Sequence, residues 1–422
     1  MAIFFTTSLT ACEKQEYSEQ HSTNIPAKTH TTITALVWAP EWPEQMHQIA
    51  AAFTKENPDI DVDVQFMIGN SVEENIKPKI AANSLPDLMS INPNAYAAEL
   101  ADRGILADLG QTRVWQNMLD PLKAEWTTRW DRHYGISGGV AATLIYYNKT
   151  MFKKAGITKL PTDFNAFLLV CERLKKAGFT PMMWSGAFPN MLGNGPFSFG
   201  FANNIMTREP DWKRKIADGT LDLNTPDTAD IFAKIKLLAD KDYVQKGYMS
   251  TGYNEGMALF AEGKTAMAFH GTWAAGTLMH GRNFQTGVFI PPWNAPGAEV
   301  VPVVGSETGF AVCETGKKDA ALKFLEFIYD QGFPIQQRKR QNIAPLKRLS
   351  GNAAADAQIV DYVRNIQTFA STAAPYYSYL PTNTLAMLHV LLQDVLLNKK
   401  TPRQAARALD RSIKIEAMSL NK

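Results

Sequence analysis

Apolar positions recur along the chain with two different periods, one typical of strands and one typical of helices, and segments with the two periods alternate. Residues 60–68 carry an apolar side chain at every second position, which predicts a strand. Just before them, Met46, Ile49, Ala50 and Phe53 recur at the three- and four-residue spacing of a single helix face. The chain therefore begins its patterned part with a helix followed by a strand.

The same alternation continues through the first hundred residues. Strands are predicted at 34–38, 60–68 and 87–92, with helices from Pro43 to Asn57, from Ser71 onward with Pro78 inside it, and over 95–102. Strands alternating with helices at this spacing predict a parallel sheet covered by helices. Such sheets bind ligands beyond the carboxyl ends of their strands. Trp38 and Asn92 fall at those ends, which makes them the first candidates for a pocket.

A second series of strands and helices follows and predicts a second lobe of the same α/β class. Strands are predicted at 143–147, 181–184 and 265–270, with helices opened by Thr162, Thr225 and Thr401 and over 254–262 and 317–330. The length of 422 residues agrees with two or three domains or one large two-lobed body.

Composition excludes several classes of protein. Forty-three basic residues against 41 acidic ones leave a formal net charge of +2, which does not provide the basic face of a nucleic-acid groove. No window of 18 apolar residues predicts a membrane span. Three cysteines cannot form a disulfide framework, and we expect Cys171 and Cys313 to be buried as small apolar side chains.

The first 30 residues predict a targeting segment and a tether. A short apolar run ends in Leu9-Thr10-Ala11-Cys12, which resembles a bacterial lipobox with Cys12 as the lipidated residue. No Lys or Arg precedes that run, so we expect the signal to be truncated. Residues 13–30 are polar, a composition typical of a flexible linker. Together they predict anchoring at the outer face of a bacterial membrane or release into the periplasm.

Motifs for catalysis, cofactors and metals are weak. Gly263-Lys264-Thr265 lacks the earlier glycine of a phosphate loop, and it follows a helix and precedes a strand, the reverse of the required order. The seven histidines show no spacing typical of metal ligands. We therefore expect no cofactor, no metal and no catalysis. Paired carboxylates of a glycoside hydrolase stay open as an alternative, since the two need not be near in sequence.

Tryptophan is the residue type that points to a ligand. Flat aromatic rings pack on the C–H face of a sugar, while Asn, Asp, Glu and Arg bond its hydroxyls. Core packing is expected for Trp115, Trp126, Trp130 and Trp212. A place at a binding site is expected instead for Trp38, Trp42, Trp184 and Trp273, because each follows a predicted strand into a loop or a helix start.

The chain resembles family 1 extracellular solute-binding proteins, the sugar-capturing lipoproteins of ABC importers. The matching segments, in order, are 52–62, Leu85-Pro86-Asp87-Leu88, Tyr146-Tyr147-Asn148-Lys149, 152–156, 260–267 with His270-Gly271-Thr272-Trp273, 320–327 and Ile343-Ala344-Pro345. The resemblance implies a two-lobed periplasmic-binding-protein (Venus flytrap) fold with three hinge crossings, expected near 141–147, 261–266 and 313–318. The expected lobes are 31–142 plus 266–313, and 143–265 plus 314–422.

In that framework, ligand is captured between closing lobes and passed to a membrane permease. We expect Trp38, Glu41, Trp42, Asn92, Trp273 and Glu307 on one wall, and Tyr146, Trp184 and Phe188 on the other. The expected partners are a carbohydrate and ABC permease subunits, the expected state is a monomer, and nucleic acid is not expected. Arg338-Lys339-Arg340 is interpreted as a solvated helix face, with contact to the transporter or to an acidic sugar as the alternative. Alternatives for the whole chain are a secreted carbohydrate-active enzyme and the same fold binding a non-sugar solute such as a phosphorylated polyol.

Overall fold

Two sheets covered by helices form the two lobes of the protein. The computed structural model describes residues 30–68, 72–281, 283–348 and 373–420. The strands in these ranges are β1 Thr31–Val37, β2 Ile60–Phe66, β3 Leu88–Ile91, β4 Val140–Asn148, β5 Thr180–Met183, β6 Thr265–Gly271, β7 Thr286–Phe289, β8 Val304–Ser306 and β9 Gly309–Val312. Cys12 and the rest of the expected tether up to residue 29 lie outside the described residues.

Helices of very different length cover the sheets. They are α1 Pro43–Glu56, α2 Val72–Ala81, α3 Ala95–Asp102, α4 Arg113–Asn117, α5 Asp120–Lys123, α6 Lys149–Lys154, α7 Phe164–Lys176, α8 Asn190–Leu192, α9 Ser198–Phe201, α10 Trp212–Ala217, α11 Pro226–Asp240, α12 Tyr253–Ala261, α13 Ala275–Leu278, α14 Lys318–Phe327, α15 Phe333–Arg340, α16 Thr382–Leu396 and α17 Pro402–Leu420. Short 3-10 turns include Ala124–Trp126 and Tyr376–Ser378. None of the described helices is long and apolar enough to cross a membrane.

The first sheet has the strand order β2-β1-β3-β9. β1 is parallel to β2 and to β3, as the alternating pattern predicts, whereas β9 closes the sheet antiparallel to β3. The predicted face of α1 is buried, and the ring of Phe53 lies 5.0 Å from that of Phe324 on α14. α1 ends where the Asn57 side chain donates to the carbonyl of Phe53 at 3.0 Å.

The second sheet has the order β5-β6-β4-β7 and is mixed. β5 is parallel to β6, but β4 runs antiparallel to both β6 and β7. Thr225 caps α11 as predicted, its hydroxyl accepting from the amide of Thr228 at 3.2 Å. α7 is capped by Asp163 rather than by the expected Thr162, because the Asp163 carboxylate accepts from the Ala166 amide at 2.9 Å.

The hinge is a pair of short strands that leads from one sheet to the other. The first residues of β4 pair with β8, and Glu307 and Thr308 then carry the chain from β8 into β9. At Gly138 the backbone comes so close to this connection that a Cβ atom would lie 2.1 Å from the Thr308 carbonyl oxygen. Only glycine permits that approach.

The strand pairing corrects the expected lobe boundaries. Residues 266–313 were expected with the first lobe, yet β6 and β7 lie in the second sheet and only β9 joins the first. Residues 314–422 were expected with the second lobe; α16 and α17 do pack on α11 of that lobe, whereas α14 packs on β9 and β1 of the first. Periodicity predicts that a strand exists but does not report its partner, so these boundaries were wrong.

The structure places the crossings between the lobes at other positions than those expected. The chain passes between the sheets at the start of β4 and again between β8 and β9. It lies on the first lobe at Lys347, whose amide donates to the Asn117 carbonyl at 2.8 Å. It is next described at Ala373, whose amide donates to the Pro302 carbonyl at 2.9 Å. No crossing occurs within 261–266, since that segment leads from α12 directly into β6.

Cys171 and Cys313 are free and buried, as predicted. They lie in different lobes, Cys171 on α7 and Cys313 just after β9. Burial raises the pKa of both thiols, that of Cys313 to about 12.

Candidate ligand-binding site

A cavity of about 480 Å³ opens between the two lobes. This volume lies within the range of small-molecule sites. The aromatic side chains that line it are Trp38, Trp42, Phe188, Tyr253, Trp273, Phe310 and Tyr377. The charged or titratable ones are Glu41, Glu73, Glu74, Lys77, Glu307, Arg340 and His389. Flat apolar surfaces and hydrogen-bonding groups therefore face the same space.

The first-lobe wall is built at the carboxyl ends of β1 and β3. The backbone amide of Trp38, the residue after β1, donates to the Ser90 hydroxyl of β3 at 2.9 Å. Asn92, just after β3, donates to a carboxylate oxygen of Glu73 at 3.3 Å, and its own carbonyl oxygen accepts from the Thr308 hydroxyl at 2.6 Å. The amide and the carboxylate are thus fixed in place before any ligand arrives.

The second-lobe wall is aromatic and comes from loops and helix starts. Tyr253 is the first residue of α12, and its ring lies 5.2 Å from that of Phe188. Trp273 follows β6, and its indole N–H donates to the Tyr253 hydroxyl at 3.0 Å. Beneath them His270 is buried, with its ring 5.2 Å from Tyr253, and burial lowers its pKa to about 3. His270 is therefore a neutral support for the wall.

A hydrogen bond between Tyr253 and Glu41 joins the two walls directly. The Tyr253 hydroxyl donates to a carboxylate oxygen of Glu41, which lies in the loop between β1 and α1. Burial raises the pKa of Glu41, while the hydrogen bond from Tyr253 and the charge of Arg340 act in the opposite direction. Burial and the neighbouring carboxylate hold the pKa of Tyr253 well above its usual value, so the phenol stays a donor.

The floor of the cavity is a buried ion pair at the hinge. Arg340 donates to a carboxylate oxygen of Glu307 at 2.6 Å, and the two side chains are only 8% and 2% exposed. Asn342 donates to the same oxygen at 3.1 Å. The guanidinium of Arg340 also lies 5.2 Å from the centre of the Trp42 ring. The other carboxylate oxygen of Glu307 has no hydrogen-bond partner among the described residues.

Seven of the expected site residues line this cavity. They are Trp38, Glu41, Trp42, Asn92, Phe188, Trp273 and Glu307. Trp273 lies on the wall opposite to the expected one, because β6 belongs to the second sheet.

Tyr146 and Trp184 do not line the cavity, which corrects their expected place on the second wall. Tyr146 lies within β4, is fully buried, and donates from its hydroxyl to the Gly271 carbonyl at 3.0 Å. Trp184 is also buried, with its ring 5.9 Å from that of Tyr248. Its amide donates to the Gln245 side chain at 2.9 Å. Both residues are core of the second lobe.

Two further expectations change. Trp115, Trp126 and Trp212 are buried as predicted, but Trp130 is 67% exposed and carries Arg129 over its ring at 5.0 Å. In the run 338–340, Arg338 and Lys339 are exposed, whereas Arg340 is buried on the floor of the cavity.

Sequence reasoning missed Glu73, Tyr253 and His389, and for Arg340 it favoured a solvated position over a contact with ligand. Glu73 and His389 stand on helices on opposite sides of the cavity, and burial lowers the pKa of His389 to about 4 while Glu73 opposes the shift. Helical residues that face a cleft carry no local signal, since their neighbours follow the ordinary amphipathic pattern. Tyr253 had one available signal, its position at a helix start just before the 260–273 segment.

Comparison with known proteins places the chain in a family. The family model described as "Bacterial extracellular solute-binding protein" matches residues 39–332. The multiple sugar-binding protein of Streptococcus mutans is 22% identical over 360 residues, which cover 81% of this chain and 83% of that protein. The melibiose/raffinose/stachyose-binding protein MelE of Bacillus subtilis is 22% identical over 94% of this chain and 92% of its own length.

A solved structure supports the fold. The solute-binding protein RafE in complex with raffinose superposes with a TM-score of 0.76 at 22% identity, and the match covers 91% of this chain and 99% of that one. The family match spans more than half of the chain, and the two-lobed architecture with a cavity between the lobes agrees with it. The chain belongs to the family of bacterial extracellular solute-binding proteins.

Proposed function

We propose that this protein captures an oligosaccharide between its two lobes and delivers it to the membrane permease of an ABC importer. The observation that carries the proposal is the cavity itself, in which aromatic rings and fixed carboxylate and amide groups face each other. Stacking on the rings and hydrogen bonds to the polar groups are the two interactions that a sugar ring offers. The named relatives bind multiple sugars and raffinose-type oligosaccharides, in agreement with that chemistry.

We also propose which side chains of the cavity contact the sugar. We expect Trp273 and Phe188 of the second lobe and Trp38 and Trp42 of the first to pack on sugar faces. Glu41, Asn92 and Glu307 are expected to bond hydroxyls, with Glu73 added from the same wall. A ligand that touches both lobes favours the closed form because it binds that form better than the open one.

The experiment is a binding screen with the purified protein. Tryptophan fluorescence and thermal melting are measured with melibiose, raffinose, stachyose, maltotriose, a chitin trisaccharide and a galacturonic acid trisaccharide. Ligand at 100 times its Kd stabilises the folded protein by about 2.7 kcal/mol. A saturable response to at least one neutral oligosaccharide is expected, and no response across the whole panel would contradict sugar capture.

A second readout separates binding from catalysis. The family consists of binding proteins, and we expect chromatography of the released ligand to recover it intact. Cleavage products formed by the wild type, and absent when Glu41 and Glu73 are changed to Gln, would instead establish a carbohydrate-active enzyme. Selective binding of the galacturonic acid trisaccharide would shift the ligand class to acidic solutes.

Membrane attachment through Cys12 is a separate part of the proposal. It rests on the lipobox-like Leu9-Thr10-Ala11-Cys12 alone. Expression in a bacterial host of the chain with a standard lipoprotein signal sequence placed ahead of Leu9, followed by detergent phase partition, tests it. The wild type is expected in the detergent phase and Cys12→Ala in the aqueous phase. Equal partition of the two would contradict lipidation at this residue.

A further inference from the structure

A carboxylate outside the cavity lies directly behind its floor. Glu125 belongs to the 3-10 turn Ala124–Trp126 of the first lobe and is 8% exposed. One of its carboxylate oxygens accepts from the backbone amide of Ser306 at 3.0 Å. Ser306 is the last residue of β8, it lines the cavity, and it precedes Glu307 of the ion pair. Glu125 is thus one hydrogen bond away from the hinge strand that forms part of the site.

The second oxygen of the same carboxylate reaches the other lobe. It accepts from the Ser378 hydroxyl at 3.0 Å. Ser378 ends the turn Tyr376–Ser378, and the Tyr376 ring lies 5.4 Å from Phe197 and 5.4 Å from Phe201 of the second lobe. The carboxylate therefore links the first lobe, the hinge strand and the second lobe at a single point.

Within the part of the chain that the structure describes, one cation and several phenols act on Glu125. Lys213 of α10 interacts electrostatically with Glu125, and its ammonium donates to the Tyr379 hydroxyl at 3.0 Å. Tyr134 donates to the Glu125 backbone carbonyl at 2.7 Å. The Glu125 carboxylate also interacts electrostatically with Tyr377 and Tyr379. Burial raises the pKa of Glu125 to about 7, with Ser378, Ser306 and Lys213 acting in the opposite direction. Neutral and ionised forms are thus both accessible near neutral pH.

We propose that Glu125 is a proton-sensitive hinge contact, whose neutral form favours the closed lobes and whose ionised form favours opening. The present arrangement is a closed one, since Tyr253 bonds Glu41 across the cavity. Opening moves Ser378, whose segment is bonded to β8 through Ala373, away from the first-lobe turn that carries Glu125, and it admits water to the carboxylate. Hydration stabilises the charged form far more than the neutral one, so each pH unit above the closed-state pKa changes the open-to-closed ratio by at most tenfold. The inference rests on the proposed function only in taking the closed form as the ligand-binding one.

The test measures lobe opening without any sugar. Small-angle scattering gives the radius of gyration of the ligand-free protein between about pH 5.5 and about pH 8.5, for the wild type, Glu125→Gln and Glu299→Gln. We expect the wild type to expand as the pH rises and Glu125→Gln to keep the compact value throughout. Glu299 is exposed and takes no part in the pairing of β4 with β8, so its variant controls for the change in net charge and follows the wild type. A flat wild-type curve, or a Glu125→Gln curve that coincides with it, would overturn the proposal.

A second pair of variants keeps the Glu125 carboxylate and changes its pKa. Ser378→Ala removes a donor that favours the ionised form, and Lys213→Gln removes the nearby cation, so both shift the midpoint of expansion to higher pH. A merely structural contact would loosen the hinge equally at every pH and leave the midpoint unchanged. Since no sugar is present, this result is independent of whether an oligosaccharide binds.

Discussion

The two walls of the cavity are built by different rules. In the first lobe, β1 and β3 are parallel, so both carboxyl ends meet at one edge and bring Trp38 and Asn92 together. In the second lobe, β4 is antiparallel to β6, so the carboxyl end of β6 meets the beginning of β4, with Gly271 opposite Thr143. A rule based on the carboxyl ends of parallel strands therefore works for the first wall and does not apply to the pair β4 and β6 of the second.

The walls also differ in chemistry and in their response to pH. Carboxylates and amides dominate the first wall and the hinge, and burial raises the pKa values of Glu41, Glu125 and Glu307. Aromatic rings form the second wall, with buried His270 beneath them and His389 at the edge of the cavity, and burial lowers the pKa values of both histidines. Acid therefore favours the neutral carboxyl groups of the first wall and hinge, while it works against the neutral imidazoles of the second.

The largest expected effect concerns the ion pair at the floor. Arg340→Met leaves the Glu307 carboxylate buried without its cation, which is expected to lower the free energy of unfolding by about 3–5 kcal/mol. Urea denaturation at about pH 7 measures the loss. Arg338→Met, on an exposed position of the same helix, is the control. Adding Glu307→Gln to Arg340→Met should recover part of the stability, and a loss no larger than that of Arg338→Met would contradict the role of the pair.

The aromatic wall is tested through ligand affinity. Trp273→Ala removes a ring from the second wall and is expected to raise the Kd of a bound oligosaccharide roughly 30-fold, or about 2 kcal/mol. Isothermal titration calorimetry measures it. Trp130→Ala, at an exposed position outside the cavity, should leave the Kd unchanged. A loss for Trp273→Ala no larger than that for Trp130→Ala would contradict stacking of the ligand on Trp273.

The histidine beneath that wall predicts an acid-sensitive second lobe. The pKa of His270 is about 3 in the folded protein, below the ordinary value of about 6.5 expected when unfolded. The unfolded state therefore binds a proton first, and stability is lost as the pH falls below about 6.5. Between about pH 6.5 and about pH 5 the loss attributable to this residue is roughly 1–2 kcal/mol.

Denaturation at the two pH values tests the histidine prediction by comparing variants. His270→Gln is expected to flatten the decline on the acid side, while His280→Gln at an exposed position leaves the wild-type slope in place. An unchanged slope in His270→Gln would show that the acid sensitivity arises elsewhere.

The smallest expected effect concerns the bond between the walls. Tyr253→Phe removes the hydroxyl that donates to Glu41 but keeps the ring that packs on Phe188. We expect the Kd to rise about fivefold, or about 1 kcal/mol, mostly through faster dissociation, because the lobes lose a closing contact. Stopped-flow fluorescence separates the two rate constants. An effect confined to the association rate would contradict a closing role.

Sequence patterns were sufficient where local rules decide the outcome. The buried face of α1, the parallel pairing of β1 to β3 and the burial of both cysteines follow from periodicity and side-chain type. The partners of β6 and β9 could not be read from the sequence, because pairing depends on residues far away in the chain. Arg340 is the instructive case at the site, since three consecutive basic residues look like a solvated face and only the contact with Glu307 distinguishes the last one.

The closure of the first sheet by β9 has a consequence for biosynthesis. Leu88 of β3 pairs with Val312 of β9, so the first sheet cannot be complete until the ribosome has synthesised the chain as far as Val312. Every strand of the second sheet, from β4 to β7, is synthesised in the interval. Non-local pairing of this kind slows folding, and a ribosome-bound or partly exported chain would hold an unfinished first lobe beside a second lobe whose strands have all emerged. We therefore expect the first lobe to stay incomplete until β9 emerges as the strand that closes its sheet.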